Sequence, residues 1–511
     1  MKNDFYQSFS APSIVSLLRA LRRMPASHWD KKGREMALRL FQFAARAVPA
    51  YRALLHEKRI NPLEIATFND LKRAPFIDKQ TYLRAHELED LLPHRDVSRI
   101  TTFAATSGST GEPFYLPRGE AQDEQYEYIA ELFLRTCFGV NARVKTLGII
   151  GFALGIWIGG IFTYKNFNRI AGRGLNLSLM PIGVDKALFL KSLKRMGHLY
   201  DQVILMGYPP FIKDIVDEAE EYGINWSKYR VKIFTATEGF SEKFREYLVR
   251  HAAIKNPLTD ILNVYGSVEL GTMAHETPLT TLIRRIAVKN QKVFKALFGG
   301  AGRLPTLAQY HPYLTYFEEV DGELAGTGYG SSIPFVRYRF HDRGGVIPFE
   351  DMAARLASLG IDMIKEARAA RIEKTVMKLP FVYVYERADS AASLVGILIY
   401  PEYLKDALAH RSVSRFVTGK FTMETKTDRR ENQFLEVNVE CSHGVEGTPQ
   451  LRGLLEARMV KSLLSRSTEY KHLYSHGTSA YRKRLIPKVV LWPHGDSKYF
   501  KLAIKQKWVK K

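Results

Sequence analysis

The sequence is poor in cysteine: its 511 residues include only Cys137 and Cys441, and they contain no Cys-x-x-Cys pair. Two thiols so far apart in the chain supply neither a disulfide framework nor a thiolate metal site. Such a low cysteine content is typical of proteins in a reducing compartment. The first residues, MKNDFYQSFSAPS, also lack the basic-then-apolar order of a secretory signal. We therefore expect a cytoplasmic protein.

Acidic residues are in deficit, because 53 Asp and Glu stand against 75 Lys and Arg and leave a net charge of +22. Such a chain attracts polyanions, which include nucleic acids, anionic membrane surfaces, nucleotides, coenzyme A and acidic carrier proteins. A nucleic-acid-binding protein is thus one hypothesis. However, the basic residues are spread along the chain and no nucleic-acid-binding module is recognisable, so we expect no specific nucleic-acid partner.

Long apolar runs are scarce, with one exception at 146–164, where nineteen consecutive residues carry no charge. That length is near a membrane span. Five of the nineteen are glycines, which weaken a helix that has no protein partners. We therefore predict a buried strand, loop and helix here. The remaining composition, 46% hydrophobic and 25% charged, is that of an ordinary globular protein and excludes a disordered or collagenous chain.

Strand-like and helix-like segments alternate from residue 145 to residue 266, after a mainly helical first hundred residues. This alternation predicts an α/β fold with parallel-rich sheets and helices. A second pattern of strands and helices begins near residue 380 and indicates a smaller α+β unit. We predict a large N-terminal domain over 1–380 and a C-terminal lid domain over 381–511. The boundary between them is best placed between Asp342 and Arg387.

A loop of glycines and small hydroxyl residues follows the helical region, as TSGSTGEP at 106–113. Backbone N–H and hydroxyl groups of such a loop wrap phosphate oxygens. The loop does not contain the GxxxxGK[ST] pattern of the common nucleotide-binding P-loop. By itself it is equally compatible with a flexible turn.

This loop and several other segments resemble segments of one protein family. They occur along the chain in the order that the family requires. The segments are VPAYRALL (48–55), DLKRAPFIDKQTYL (70–83), TSGSTGEP (106–113), YGSVELG (265–271), PFVRYRFHDRGG (334–345), YERADS (385–390) and VGILIYPEYLKDAL (395–408). Together they resemble the adenylate-forming (ANL) superfamily, specifically its phenylacetate–CoA ligase-like branch. The resemblance covers most of the chain.

The resemblance implies an enzyme that activates a carboxylic acid, aryl or aliphatic, with ATP and Mg2+. The products would be an acyl-adenylate and pyrophosphate, and the acyl group would pass to a thiol of coenzyme A or of a carrier protein. Glu269 matches the magnesium-binding glutamate, and a hard cation prefers such an oxygen ligand. Asp342 would accept hydrogen bonds from the ribose hydroxyls, and Tyr265 would stack on adenine.

Other residues receive roles from the same resemblance. The ATP-binding set is completed by Thr106, Ser107, Gly108, Ser109, Thr110, Gly111, Thr237, Glu238, Gly266, Ser267 and Arg387. Asp389 would occupy the hinge about which the small C-terminal domain rotates between the two half-reactions. A catalytic lysine from the C-terminal tail would contact the α-phosphate. The tail offers Lys498, Lys501, Lys505 and Lys507, and Lys505 is favoured because it follows the apolar Ile504.

The uncharged run at 151–160 would pass near the substrate carboxylate if the resemblance holds. Phe152, Ile156 and Trp157 are then candidates for an apolar acyl pocket, with glycines leaving room for substrate. Trp157 is equally compatible with a core position.

A basic segment lies between Glu276 and Glu318, where the chain has no acidic residue. Its cations are Arg284, Arg285, Lys289, Lys292, Lys295 and Arg303. The stretch LIRRIAVKNQKVFKALF has the pattern of a basic amphipathic helix. It would receive coenzyme A phosphates, an acidic carrier protein or the surface of an anionic membrane, or it would simply be the solvated face of a packed helix.

Departures from the family pattern leave two alternatives open. Asp342 and Arg387 are 45 positions apart, which is longer than usual. This insertion keeps alive an amide synthetase that passes the acyl group to an amine. Glu112 and Val268 replace residues common in the family, which permits a degenerate member that binds AMP without turnover.

Overall fold

The structure is a computed structural model and describes residues 14–106, 114–299, 304–328, 332–387, 392–496 and 499–500. Its α-helices are α1 (Ile14–Arg23), α2 (Ala26–Ala47), α3 (Pro49–Glu57), α4 (Leu88–Leu91), α5 (Glu120–Thr136), α6 (Ile158–Ala171), α7 (Lys186–Met196), α8 (Pro209–Glu218), α9 (Glu242–His251), α10 (Pro278–Lys289), α11 (Gln291–Phe298), α12 (Phe349–Ala357), α13 (Met363–Ala369), α14 (Pro401–Ala409), α15 (Pro449–Arg466), α16 (Thr468–His476) and α17 (Ser479–Leu485).

The strands form one large sheet and three small ones. They are β1 (Thr102–Thr106), β2 (Phe114–Arg118), β3 (Thr146–Ile150), β4 (Leu177–Pro181), β5 (Gln202–Gly207), β6 (Val231–Ala236), β7 (Ile261–Ser267), β8 (Gly271–His275), β9 (Thr306–Tyr310), β10 (Thr315–Val320), β11 (Glu323–Gly328), β12 (Phe335–Ile347), β13 (Phe381–Arg387), β14 (Ala392–Leu394), β15 (Ile397–Ile399), β16 (Val417–Thr427), β17 (Gln433–Cys441) and β18 (Lys488–Trp492).

The large sheet has eleven described strands in the order β10-β11-β12-β13-β9-β8-β7-β6-β5-β3-β4. Strands β4, β3, β5, β6 and β7 run parallel, and every pairing from β7 through β8 to β10 is antiparallel. The predicted α/β class is confirmed, with a parallel half joined to an antiparallel half. Because β3 lies between β4 and β5, the chain reverses its winding direction there, and α/β sheets bind ligands beyond the carboxyl ends of strands at such a point.

The parallel strands are apolar on both faces because helices cover both. On β5, Ile204 and Met206 enter a core shared with α5 and α6, whereas Val203 and Leu205 enter a core shared with α7, α8 and α9. The side chains of a strand alternate between faces, so a strand buried on both sides becomes a continuous apolar run. The segment QVILMG meets this requirement and is β5.

The uncharged run at 146–164 folds as predicted. It forms β3, a loop and the first half of α6. Among the helices that the structure describes, none combines the length and apolar character needed to cross a membrane.

The insertion between β12 and β13 forms α12 and α13. Both helices pack with α10 and α11 through apolar side chains that include Phe349, Met352, Met363 and Ala367. The insertion therefore covers the large sheet and leaves Asp342 of β12 paired with Arg387 of β13.

The residues after 391 have a core of their own. Strands β16, β17 and β18 form one sheet, β14 and β15 form a hairpin, and α14 to α17 pack with them. Strand β13 still belongs to the large sheet, which therefore continues past the predicted division at residue 380. That division remains a prediction.

Candidate active site

A cavity of about 1130 Å3 lies at the carboxyl ends of the parallel strands. Residues that follow β3, β5, β6 and β7 line it on one side, and the C-terminal unit lines it on the other. Of the residues assigned roles by resemblance, those that line it are Phe152, Trp157, Thr237, Glu238, Tyr265, Gly266, Ser267, Glu269 and Asp342. The fold thus brings together residues that lie almost two hundred positions apart in the chain.

Tyr265 and Asp342 form the part of this site suited to a nucleoside. The Tyr265 hydroxyl donates to Asp342 Oδ2 at 2.5 Å. The Tyr265 ring stacks beside Phe317, with 6.1 Å between ring centroids. Asp342 stands on β12 directly opposite Arg387 of β13. An anchored carboxylate beside an aromatic ring is suited to accept hydrogen bonds from ribose hydroxyls.

Glu269 occupies the turn between β7 and β8, and both its side chain and its backbone are held. Tyr338 donates to Glu269 Oε1 at 3.1 Å. The buried Gln122 donates to the Glu269 carbonyl at 3.3 Å, and the buried Arg118 donates to the Val268 carbonyl at 3.1 Å. Desolvation lowers the pKa of Arg118 to about 10. The carboxylate is therefore presented to the cavity by a braced turn.

The donor chemistry of Glu269 is compatible with a magnesium ion. Among the described residues, no cluster of three or more His, Cys, Asp or Glu side chains is arranged to hold a metal ion. Mg2+ commonly takes one or two carboxylates and completes its octahedron with substrate phosphates and water. Glu269 fits that donor set.

Gly266 and Ser267 shape the start of the same turn. A Cβ at Gly266 would lie 2.4 Å from the Gly271 carbonyl oxygen, so only glycine allows β7 and β8 to approach this closely. The Ser267 hydroxyl accepts from the Leu270 amide at 3.1 Å and closes the turn.

Thr237 and Glu238 follow β6 and meet the C-terminal unit. Thr237 has φ of 80°, a left-handed conformation that is uncommon for a β-branched residue and often marks a functional position. Glu238 accepts from Ser393 Oγ at 3.2 Å and from Gln433 Nε2 at 3.1 Å. Burial raises the pKa of Glu238, and these two donors offset part of the rise. Glu238 thus connects the C-terminal unit to the edge of the cavity through hydrogen bonds.

The hairpin of the C-terminal unit completes this contact. Val395 and Gly396 form its two-residue turn, with φ of 54° and 80°. A Cβ at Gly396 would lie 2.9 Å from Tyr208 and 3.0 Å from the Thr237 hydroxyl. Farther from the cavity, Arg484 forms an ion pair with the buried Asp214 of α8.

The candidate acyl-pocket residues occupy different environments. Phe152 is fully buried and its ring packs against Tyr208 and Phe234. Trp157 lines the cavity at the start of α6. Ile156 is 41% exposed and is not among the described residues that line the cavity.

Several predicted residues fall outside what the structure describes. These are Ser107, Gly108, Ser109, Thr110, Gly111, Asp389 and Lys505, together with the side chains of Thr106 and Arg387. Thr106 is the last residue of β1, and Phe114 begins β2, so the phosphate-loop segment connects two paired strands. Their proposed roles remain predictions.

Two residues that donate hydrogen bonds to Glu269 were not predicted. Tyr338 stands four residues before Asp342 on the same strand, so its position in the RYRFHD segment was a usable signal. Gln122 lies 147 positions from Glu269, and nothing local in the sequence indicates their contact.

The prediction of one basic amphipathic helix near residue 290 is wrong. The chain breaks there into α10 and α11, and the Asn290 side chain caps α11 by accepting from the Lys292 and Val293 amides. Arg284 is only 1% exposed and contacts Glu276 at 2.8 Å, so it belongs to a buried ion network. Lys289, Lys292 and Lys295 are exposed, whereas Arg303 is outside the described residues.

Comparisons with known proteins find one relative in sequence and a shared fold. No family model matches the chain. The chain is 23% identical over 253 residues to the phenylacetate-coenzyme A ligase of Thermus thermophilus, a match that covers 49% of this chain and 52% of that relative. The matched region thus spans about half the length of that relative.

Solved structures match over nearly the whole chain. 2-Hydroxyisobutyryl-CoA ligase, with 2-HIB-AMP and CoA in its thioesterification state, gives a TM-score of 0.64 at 16% identity over 96% of this chain and 91% of that one. The same ligase in its postadenylation state, with R3-HIB-AMP, gives 0.53 at 16% identity over the same shares. This chain therefore has the fold of 2-hydroxyisobutyryl-CoA ligase, in agreement with the two-domain α/β fold that the resemblance implied, and over about half its length it is similar in sequence to a phenylacetate-coenzyme A ligase.

Proposed function

We propose that this protein is an adenylate-forming ligase that activates a carboxylic acid with ATP and transfers the acyl group to the thiol of coenzyme A. One observation carries the proposal: Tyr265, Glu269 and Asp342 line a single cavity at the carboxyl ends of the parallel strands. An aromatic ring, a ribose acceptor and a metal carboxylate in one cavity form a donor and acceptor set suited to a nucleoside triphosphate.

In the first step, a substrate carboxylate oxygen bonds to the α-phosphorus while the bond from that phosphorus to the bridging oxygen breaks. Pyrophosphate leaves and carries the electron pair of that bond. Bound Mg2+ would offset negative charge on the phosphates. Glu269 would hold the metal, Tyr338 would orient the Glu269 carboxylate, and Asp342 would fix the ribose.

In the second step, the thiol loses its proton and its sulfur attacks the acyl carbon, and AMP leaves. The domain arrangement supports this half-reaction. The C-terminal unit contributes Val395, Gly396 and Lys426 to the cavity lining. The fold match to the thioesterification state also has the higher TM-score, 0.64 against 0.53. A thiol acceptor is therefore favoured over an amine.

The test is a hydroxylamine-trapping assay with ATP, Mg2+ and a panel of aryl and aliphatic acids. Acid-dependent pyrophosphate and hydroxamate are expected, and coenzyme A should replace hydroxylamine as acceptor, whereas simple amines should not. Product with amines but not with coenzyme A would instead favour the amide synthetase.

Glu269→Gln tests the assigned metal role. The variant should lose adenylation about 100-fold or more, because an amide replaces an anionic ligand at a site of developing charge. Glu350→Gln, an exposed change on α12, serves as the matched control. Full activity of Glu269→Gln would remove this residue from the site.

A further inference from the structure

Three hydroxyl groups from three different elements meet on one wall of the cavity. Tyr126 belongs to α5, Thr163 to α6 and Thr272 to β8, and all three line the cavity. The Tyr126 hydroxyl lies 3.2 Å from Thr163 Oγ1, and Thr272 lines the same cavity. These residues are the hydroxyl cluster.

The wall around the hydroxyl cluster is otherwise apolar and aromatic. The rings of Tyr126 and Phe162 stack with 4.7 Å between centroids and 11° between planes. Trp157, Gly159 and Gly271 line the cavity beside them. Gly271 has φ of 71°, and a Cβ there would lie 3.1 Å from Arg118 Nη2, so this part of the wall excludes larger side chains.

The hydroxyl cluster lies on different elements from the proposed nucleoside contacts. The proposed nucleoside contacts come from β6, β7 and β12, whereas this wall is built by α5, α6 and β8. Polar groups are expensive to bury, so a hydroxyl cluster in an aromatic wall implies a specific partner.

The hydroxyl cluster carries more hydrogens than its internal hydrogen bond uses. Three hydroxyls carry three hydrogens, and the hydrogen bond between Tyr126 and Thr163 uses one of them. The remaining hydrogens are available to a ligand in the cavity that all three residues line. Burial raises the pKa of Tyr126, so its hydroxyl keeps its proton at neutral pH.

We propose that the hydroxyl cluster selects a carboxylic acid whose flat, mostly apolar acyl group carries a hydroxyl or carbonyl oxygen remote from the carboxylate. That oxygen accepts one of the remaining hydrogens, and the aromatic wall covers the rest of the acyl group. The inference rests on the proposed function for its chemistry, since it specifies the acid that the same site activates.

Matched aromatic acids test the inference. Benzoate and phenylacetate serve as parents, and each is compared with its ortho, meta and para hydroxy derivatives and with the corresponding methyl derivatives. Hydroxyl and methyl groups have similar size, so their comparison isolates hydrogen bonding. At one ring position the hydroxy acid should exceed its methyl analogue about 10-fold or more in kcat/KM for adenylation.

Tyr126→Phe and Thr163→Val should each bring the ratio of kcat/KM for the hydroxy acid to that for its methyl analogue close to 1, whatever the change in rate on the unsubstituted parent. Thr136→Val is the control: it removes a hydroxyl from α5 that donates to the Leu132 carbonyl and is not part of the described cavity lining. A preference that survives both cluster variants would overturn the inference.

Calorimetric binding of the same acids without ATP separates the two proposals. Preferential binding of a hydroxy acid, lost in Tyr126→Phe, with no adenylation would uphold the hydroxyl cluster and overturn the ligase. Adenylation of hydroxy and methyl acids at equal rates would uphold the ligase and overturn the selectivity. No preference in either assay would overturn the selectivity as well.

Discussion

Asp342 and Arg387 are direct partners in the antiparallel register of β12 and β13, although 45 positions separate them in the chain. The intervening residues form α12 and α13, which pack onto α10 and α11. The long spacing therefore adds a helical cover to the sheet and does not separate the two strand positions.

Asp342→Asn is expected to weaken ATP binding by about 10- to 100-fold, because hydrogen bonds to a charged acceptor contribute about 1.5–3 kcal/mol. Tyr265→Phe, which removes the 2.5 Å bond to Asp342, should give a smaller loss. Calorimetry with a non-hydrolysable ATP analogue measures both. Asp351→Asn on the exposed face of α12 should bind normally. Normal binding by Asp342→Asn would exclude this carboxylate from the nucleotide site.

Gly396→Ala should slow acyl transfer to coenzyme A much more than adenylation. Its φ of 80° disfavours a side chain, and the new Cβ would press on Tyr208 and Thr237. Gly444→Ala is a matched control, since it also has positive φ, 75°, but no neighbour within 4 Å. Single-turnover assays of the two half-reactions distinguish the effects. Equal slowing in both variants would mean that backbone strain alone is responsible and not the contact between the units.

The buried pair His275 and His311 should make the protein sensitive to acid. Desolvation lowers the pKa of His275 to about 4 and that of His311 to about 3, while an unfolded histidine titrates near 6.5. The unfolded state therefore binds more protons below pH 6.5, and stability falls as the pH drops from there toward the folded values. Each histidine contributes up to about 1.4 kcal/mol per pH unit across that window.

Urea unfolding at several pH values between 7.5 and 4.5 measures this dependence. His311→Gln should be less stable at neutral pH but should lose less stability on acidification, because one titrating group has been removed. Parallel curves for the wild type and the variant would contradict the assignment.

Arg118 is predicted to be a positioning residue for Glu269. Arg118→Lys keeps the charge but loses the guanidinium donor to the Val268 carbonyl, so adenylation should slow about 10-fold and require more Mg2+ for half-maximal rate. Arg135→Lys changes a partly buried ion pair with Glu131 on α5, outside the described cavity lining, and should leave the magnesium requirement unchanged. An unchanged magnesium requirement in Arg118→Lys would reduce Arg118 to a structural role.

Local patterns were sufficient for much of the fold. The segments QVILMG and QFLEVNVEC fold as β5 and β17 over the same residues that their hydrophobic patterns indicate. The break between α10 and α11 at Asn290 was not predicted, because the basic and apolar pattern continues through this position. The Asn290 side chain caps α11 and so begins a new helix there. The antiparallel half of the large sheet was also missed, since strand direction depends on partners far away in the chain.

The sequence by itself determined the order of the elements and the segments that build the cavity, because periodicity and short motifs are properties of neighbouring residues. Only the tertiary structure decided which side chains hold Glu269, how Glu238 joins the two units and where Tyr126, Thr163 and Thr272 meet. Those contacts connect residues from separate elements, often more than a hundred positions apart, and their geometry arises from the packing of helices against the sheet.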